Sequence, residues 1–227
     1  MPKARTRNDE VQQATTGQGR QLDQYTRPLR RHARTGANGA GIQVSDAGVD
    51  DFKNKLVFVG NLGSGKTTAI ESISDVAPVS TRMPTGTGQT GERFTLDYTT
   101  ATLDNGELLH ICGVPGQEHL DFVWPMACDG ATGILVLVNA CDPQRLDYTT
   151  RMLDEFSRLA PGAGFAVGVT RSDLVPGFRL DEFRNALSAK GFRLPVLKVD
   201  AREPAQVGFL VKILLACHVA GSPLPKT

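Results

Sequence analysis

One eight-residue stretch constrains this chain more than any other. Gly60-Asn61-Leu62-Gly63-Ser64-Gly65-Lys66-Thr67 matches G-x-x-x-x-G-K-[ST] without deviation. It follows Lys55–Val59 (KLVFV), a short run that reads as a buried strand, and precedes residues 67–76, which read as a helix. Such a loop is built to hold phosphate. Glycines at 60, 63 and 65 let backbone N–H groups converge on anionic oxygens without Cβ clashes. The helix behind the loop aims its positive end at the same anion. Lys66 supplies a mobile charge for β- and γ-phosphates, and Thr67 a hydroxyl for Mg²⁺. Ser64 and Thr68 complete the nucleotide-binding candidates here. The motif implies a nucleoside triphosphate and is silent on the base.

From residue 52 onward, strand and helix patterns alternate. After the loop and helix, residues 79–93 are rich in Ser, Thr, Gly and Pro and read as a long loop. Phe94–Leu103 and Leu108–Cys112 flank Asp104-Asn105-Gly106-Glu107, a strong hairpin signal because a tight turn needs φ > 0. Residues 117–128 read as helical, 134–138 as a buried strand, 144–159 as a helix, 165–170 as a strand, 180–189 as a helix and 195–199 as a strand. Val207, Leu210, Val211 and Leu214 form the i, i+3, i+4, i+7 stripe of a last helix. The expected fold is α/β: a mostly parallel sheet with one antiparallel edge and helices on both faces.

Composition divides the chain near residue 51. Residues 1–50 hold eight basic and five acidic residues, a net of +3; the remainder, 17 basic and 19 acidic, nets −2. The first segment has no Phe or Trp and reads as a basic disordered tail over 1–51. Within it Arg27, Arg30, Arg31, His32 and Arg34 form either a docking arm or a solvated linker. The folded domain is expected over 52–221, with a short C-terminal tail at 222–227. A total charge of +1 gives no support for a nucleic-acid-coating protein. The longest apolar runs, 134–138 and 213–217, are far short of the ~20 residues of a membrane helix. No apolar leader opens the chain, so a cytoplasmic location is expected. Cys112, Cys128, Cys141 and Cys217 have no metal-site or disulfide spacing.

Two segments speak to the base. Thr170-Arg171-Ser172-Asp173 follows a strand pattern and resembles the N-K-x-D motif of Ras-superfamily GTPases. The resemblance implies that Asp173 accepts hydrogen bonds from guanine N1 and the exocyclic amine, and rejects adenine by leaving a carboxylate unpaired. Arg171 replaces the family's Lys and can lay its stem along the base. Thr170 replaces Asn, which weakens the loop-tying role. Asp200-Ala201-Arg202 stands where the family has S-A-K, placing the Ala201 N–H at guanine O6. Taken alone, Asp173 also has a lesser reading as a turn or helix-capping residue.

Gly113-Val114-Pro115-Gly116-Gln117-Glu118 is similar to D-x-x-G-Q-E, the start of switch II. The resemblance implies that the Gly116 N–H meets the γ-phosphate and that Gln117, with Lys66, is catalytic, Gln117 by orienting the attacking water. Here the family's Mg²⁺-holding Asp is Gly113. That form resembles the bacterial MglA/Rup/conservon-type Ras-like proteins, which implies GTP/GDP, Mg²⁺ and a Roadblock/LC7-type protein partner. Switch I matches poorly. Thr85, Thr87, Thr90 and Thr95 lie in or beside the loop; Thr90 and Thr95 are favoured, and Thr95 joins Thr67 as a metal candidate. Arg82 and Arg93 are either arginine-finger candidates or surface residues. Asp97 is either a substitute for the missing acid or a strand-edge residue. Trp124 is either a partner anchor or core. His110 and His218 read as structural. A slow GTPase switch is expected; a non-hydrolysing scaffold and an ATP-using enzyme are the alternatives.

Overall fold

The computed structural model describes residues 54–84, 93–103 and 106–219, with 81–84 and 93–95 as backbone only. Seven strands form one sheet in the order β2-β3-β4-β1-β5-β6-β7: β1 Lys55–Gly60, β2 Val79–Pro84, β3 Arg93–Thr102, β4 Leu108–Pro115, β5 Gly133–Asn139, β6 Gly164–Thr170 and β7 Val196–Lys198. The pairs β1–β4, β1–β5, β5–β6 and β6–β7 are parallel. β3 runs antiparallel to both β4 and β2. The helices are α1 Lys66–Ile73, α2 Trp124–Cys128, α3 Arg145–Leu159, α4 Leu180–Ala189 and α5 Pro204–Val219.

Strand alternation sends successive β1 residues to opposite faces. Leu56 and Phe58 join one core with Ile70 of α1 and Leu210, Val211 and Leu214 of α5. Val57 and Val59 join the other, with Trp124 of α2, Met152 and Phe156 of α3 and Leu187 of α4. Burying both faces explains why β1, β5 and β6 are uninterrupted apolar runs. Each fully buried Leu, Ile or Phe contributes roughly 1.5–3 kcal/mol.

The expected mostly parallel sheet with an antiparallel edge is present, and that edge is two strands wide. The segment read as a loop over 79–93 begins with β2, because Val79, Ser80 and Thr81 suit an extended backbone and pair with β3. The β3–β4 hairpin closes through Leu103 N–H to Glu107 O at 2.8 Å, with Gly106 at φ 85°. Asp104 and Asn105 lie outside the described residues. The first helix stops at Ile73 rather than 76: Ser74 leaves helical geometry, and its Oγ donates to Ile70 O at 2.6 Å. The 117–128 segment divides into a 3-10 turn, Glu118–Val123, and α2. Residues 1–53, expected as the tail and the opening of the domain, and 220–227 lie outside the described residues.

Candidate nucleotide site

The phosphate loop joins β1 to α1 at the carboxyl end of the parallel strands, where open α/β sheets hold their ligands. Gly63 and Gly65 adopt φ of 78° and 84°. A Cβ at Gly60 would fall 2.2 Å from Ser64 Oγ and 3.1 Å from Leu137 O, so a side chain there would have to push the Ser64 hydroxyl aside. Ser64 is buried, and its Oγ has no hydrogen-bond partner among the described residues. Gly65 caps α1 without a side-chain hydrogen bond, and Thr67 and Thr68 are exposed at the start of that helix.

The carboxylate of Asp97 lies against this helix start. Its Oδ2 accepts from Lys66 Nζ at 2.8 Å and Thr67 Oγ1 at 3.1 Å, and its Oδ1 from Ser80 Oγ at 2.8 Å. The Asp97 side chain is fully buried and that of Lys66 is 12% exposed. One cation and two hydroxyls offset the desolvation of a buried carboxylate. Asp97 is the register partner of Gly113. A Cβ at Gly113 would lie 3.1 Å from both Cβ and Oδ2 of Asp97 and 2.6 Å from Ile70 Cδ1. One place therefore serves both positions, and the acid there comes from β3. Ser80 had no sequence signal; it sits in the segment read as loop.

After β4, Gly116 N–H donates to Gly60 O at 3.2 Å, which brings the Gly113–Glu118 segment to the phosphate loop. Gln117 Oε1 is buried without a hydrogen-bond partner among the described residues. Trp124, one of the two open readings of this segment, is core: it is 3% exposed, its Nε1 donates to Pro115 O at 2.8 Å, and its ring lies 5.1 Å from Phe156. Phe122 and Met126 are the exposed apolar residues there, at 59% and 64%. Thr95 belongs to β3 opposite Arg82 of β2, and Arg93 opposite Pro84. The side chains of Arg82, Arg93 and Thr95, and all of Thr85, Thr87 and Thr90, lie outside the described residues. His110 Nδ1 pairs with Tyr98 Oη at 2.7 Å on the sheet, and His218 lies in the last turn of α5.

On the other side of the loop is a cavity of about 600 Å³. Gly65, Thr68, Thr170, Arg171, Asp173 and Ala201 are among the residues that line it. Thr170 does tie the loops together, contrary to the weakening expected of a Thr for Asn. Its buried Oγ1 lies 2.9 Å from Ser64 O and 3.2 Å from Val138 O. A Cβ at Gly65 would touch Ala201 Cβ at 3.0 Å, so the phosphate loop and the Ala201 loop are in contact. Arg171, at φ 55°, is the only described non-glycine residue with positive φ, a sparsely populated conformation that surrounding structure must hold. Asp173 is exposed in the following 3-10 turn, Ser172–Leu174. At the rim, Asp200 accepts a fork from Arg202, Nη2 to Oδ2 at 2.7 Å and Nε to Oδ1 at 3.0 Å. That fork first, and the Arg202 backbone N–H second, hold the Asp200 carboxyl down at about 2.

The phosphate loop, Gln117, Thr170, Arg171, Asp173 and Ala201 thus converge along the carboxyl edge of one sheet. Among the described residues no helix is long and apolar enough to cross a membrane, and no cluster of three His, Cys, Asp or Glu side chains is placed to hold a metal.

The class is that of a P-loop α/β fold of the G-domain type. No protein-family model matches the chain, and no curated protein does. Among solved structures it is similar to the G domain of the T. maritima FeoB iron transporter, with a TM-score of 0.52 and 15% identity over 72% of this chain and 98% of that one. At that identity the likeness is one of fold.

Proposed function

We propose that this chain, through a domain spanning 52–221, binds GTP and hydrolyses it slowly to GDP as a molecular switch. The observation that carries the reading is continuity. Asp173, Arg171 and Ala201 line the same cavity that Gly65 and Thr68 open into, so a nucleotide whose phosphates lie on the loop presents its base to them. Asp173 takes guanine N1–H and the exocyclic amine, the Ala201 N–H takes O6, and the Arg171 stem covers the ring. Thr170 anchors this loop to the phosphate loop.

At the phosphate end, Lys66 exchanges Asp97 for the β- and γ-phosphates. The Thr67 hydroxyl and the Asp97 carboxylate, 3.1 Å apart, are hard oxygen donors of the kind Mg²⁺ prefers, and they would hold it. Mg²⁺ bound there supplies neutralisation of the charge that develops on the phosphoryl group. Thr95 is a further metal candidate. Gly116 N–H meets the γ-phosphate, and Gln117 orients a water for in-line attack; the bond from phosphorus to the bridging oxygen breaks, giving GDP and phosphate. Intrinsic rates of this class are on the order of 10⁻⁴ to 10⁻² s⁻¹. A partner protein, Roadblock/LC7-type by the resemblance, would read the switch, and exposed Phe122 and Met126 offer it apolar surface. The non-hydrolysing alternative draws on the missing acid at Gly113 and on the irregular switch I; Asp97, beside Lys66 and Thr67, supports the hydrolysing reading on the first point.

Titration with fluorescent GDP, GTP and ATP analogues, on wild type and Asp173→Asn, tests the reading. Guanine selectivity that collapses in the variant is expected. Equal affinity for ATP in the wild type contradicts it.

A further inference from the structure

Four buried side-chain polar atoms lack a hydrogen-bond partner among the described residues: Asn61 Oδ1, Ser64 Oγ, Gln117 Oε1 and Tyr148 Oη. An unpaired buried polar group is costly and each one calls for an explanation. Three belong to the phosphate loop or to the residue after Gly116. The fourth comes from α3, which carries no motif.

Tyr148 reaches the same spot. A Cβ at Gly116 would fall 2.0 Å from the Tyr148 hydroxyl oxygen and 3.2 Å from the Gly60 carbonyl carbon. The Tyr148 hydroxyl and the Gly60 peptide therefore each lie against Gly116, and a side chain at 116 would have to push the hydroxyl aside. The Gly60 carbonyl is held by Gly116 N–H at 3.2 Å, the long end of the normal range.

We propose that Tyr148 is a positioning residue that favours the triphosphate state: when the γ-phosphate draws the Gly116 N–H away, the Tyr148 hydroxyl becomes the donor to the Gly60 carbonyl. The exchange rests on the nucleotide reading above. Without it, γ-phosphate capture would strand a buried acceptor at the end of β1. With it, an orphan donor and an orphaned acceptor satisfy each other. Burial raises the Tyr148 phenol well above its ordinary value, so the group stays a neutral donor.

The helix that carries Tyr148 is fixed at both relevant points. Asn61 Nδ2 donates to Asp142 Oδ2 at 2.7 Å, and Asp142 Oδ1 accepts from Gln144 N–H at 2.8 Å, just before α3 begins. One turn beyond Tyr148, Arg151 pairs with Glu118, two residues after Gly116. The hydroxyl is thus delivered by a tethered element rather than a mobile side chain.

The test compares wild type with Tyr148→Phe, using GDP and a non-hydrolysable GTP analogue in the presence of Mg²⁺. GDP affinity should stay within about twofold, while analogue affinity falls about tenfold, the cost of one stranded buried acceptor. The empty variant should melt no lower than wild type, because the substitution deletes an unsatisfied hydroxyl. Equal losses for both nucleotides, or an unchanged ratio with a lower melting temperature, overturn the proposal and make Tyr148 ordinary core. A wild type that binds neither nucleotide removes the nucleotide reading itself and this proposal with it. If the variant does not fold, [¹³Cζ]tyrosine spectra of the wild type decide: the Tyr148 resonance should shift between the GDP and analogue complexes, and identical positions overturn the exchange.

Discussion

Asp97 and Gly113 face each other on β3 and β4, with room for one carboxylate between them. Gly113→Asp forces a second into that space. Two such charges ~4 Å apart repel by about 4 kcal/mol at an effective dielectric constant of about 20, and Lys66 can neutralise only one of them. Ile70 Cδ1, 2.6 Å from the new Cβ, must also swing aside. The single variant should therefore lose about 3–4 kcal/mol in urea unfolding, read as a lower midpoint at constant slope. Asp97→Gly removes the partner of a largely buried ammonium and should lose about 3 kcal/mol. The exchange variant, Asp97→Gly with Gly113→Asp, restores one carboxylate beside Lys66. It should regain at least half of that loss, together with the Mg²⁺-dependent tightening of nucleotide binding that Asp97→Gly lacks. A Gly113→Asp protein as stable as wild type would refute the reasoning, as would an exchange variant no better than Asp97→Gly.

Gln117→Leu should slow single-turnover GTP hydrolysis about 10²-fold with nucleotide affinity nearly unchanged, since it removes only the positioning of water; parallel losses in both would contradict that role. Trp124→Ala should cost about 3–5 kcal/mol by leaving a cavity against Phe156, whereas Phe122→Ala should stay within about 0.5 kcal/mol, both read from chemical unfolding. The Asp200 carboxyl is depressed from 3.8 to about 2. Because the folded value lies below the unfolded one, its contribution is complete above 3.8 and is lost as pH falls toward 2; a ¹³C-carboxyl titration midpoint near 3.8 would show that the Arg202 fork does not form in solution.

Much of this architecture is local in sequence. β1, β5 and β6 are legible because burial on both faces demands unbroken apolar runs, and the phosphate loop because its backbone geometry admits few residue types. β2 was hidden among turn-forming residues, since its pairing comes from β3 rather than from its own pattern. Asp97 stayed ambiguous for a similar reason. Its meeting with Lys66 spans 31 positions and depends on β3–β4 register, which no motif records. Thr170 was undervalued by analogy with Asn, although its hydroxyl reaches the Ser64 carbonyl. Tyr148 and Asp142 carried no signal at all. They matter through where α3 crosses the phosphate loop, a property of packing.

The most direct measurement is a crystal structure of the protein with a non-hydrolysable GTP analogue and Mg²⁺. The account predicts the guanine edge on Asp173, the phosphates on Gly60–Thr67, and Lys66 moved from Asp97 to the β- and γ-phosphates. A base seated away from Asp173, or Lys66 still paired with Asp97 over a bound triphosphate, would contradict it.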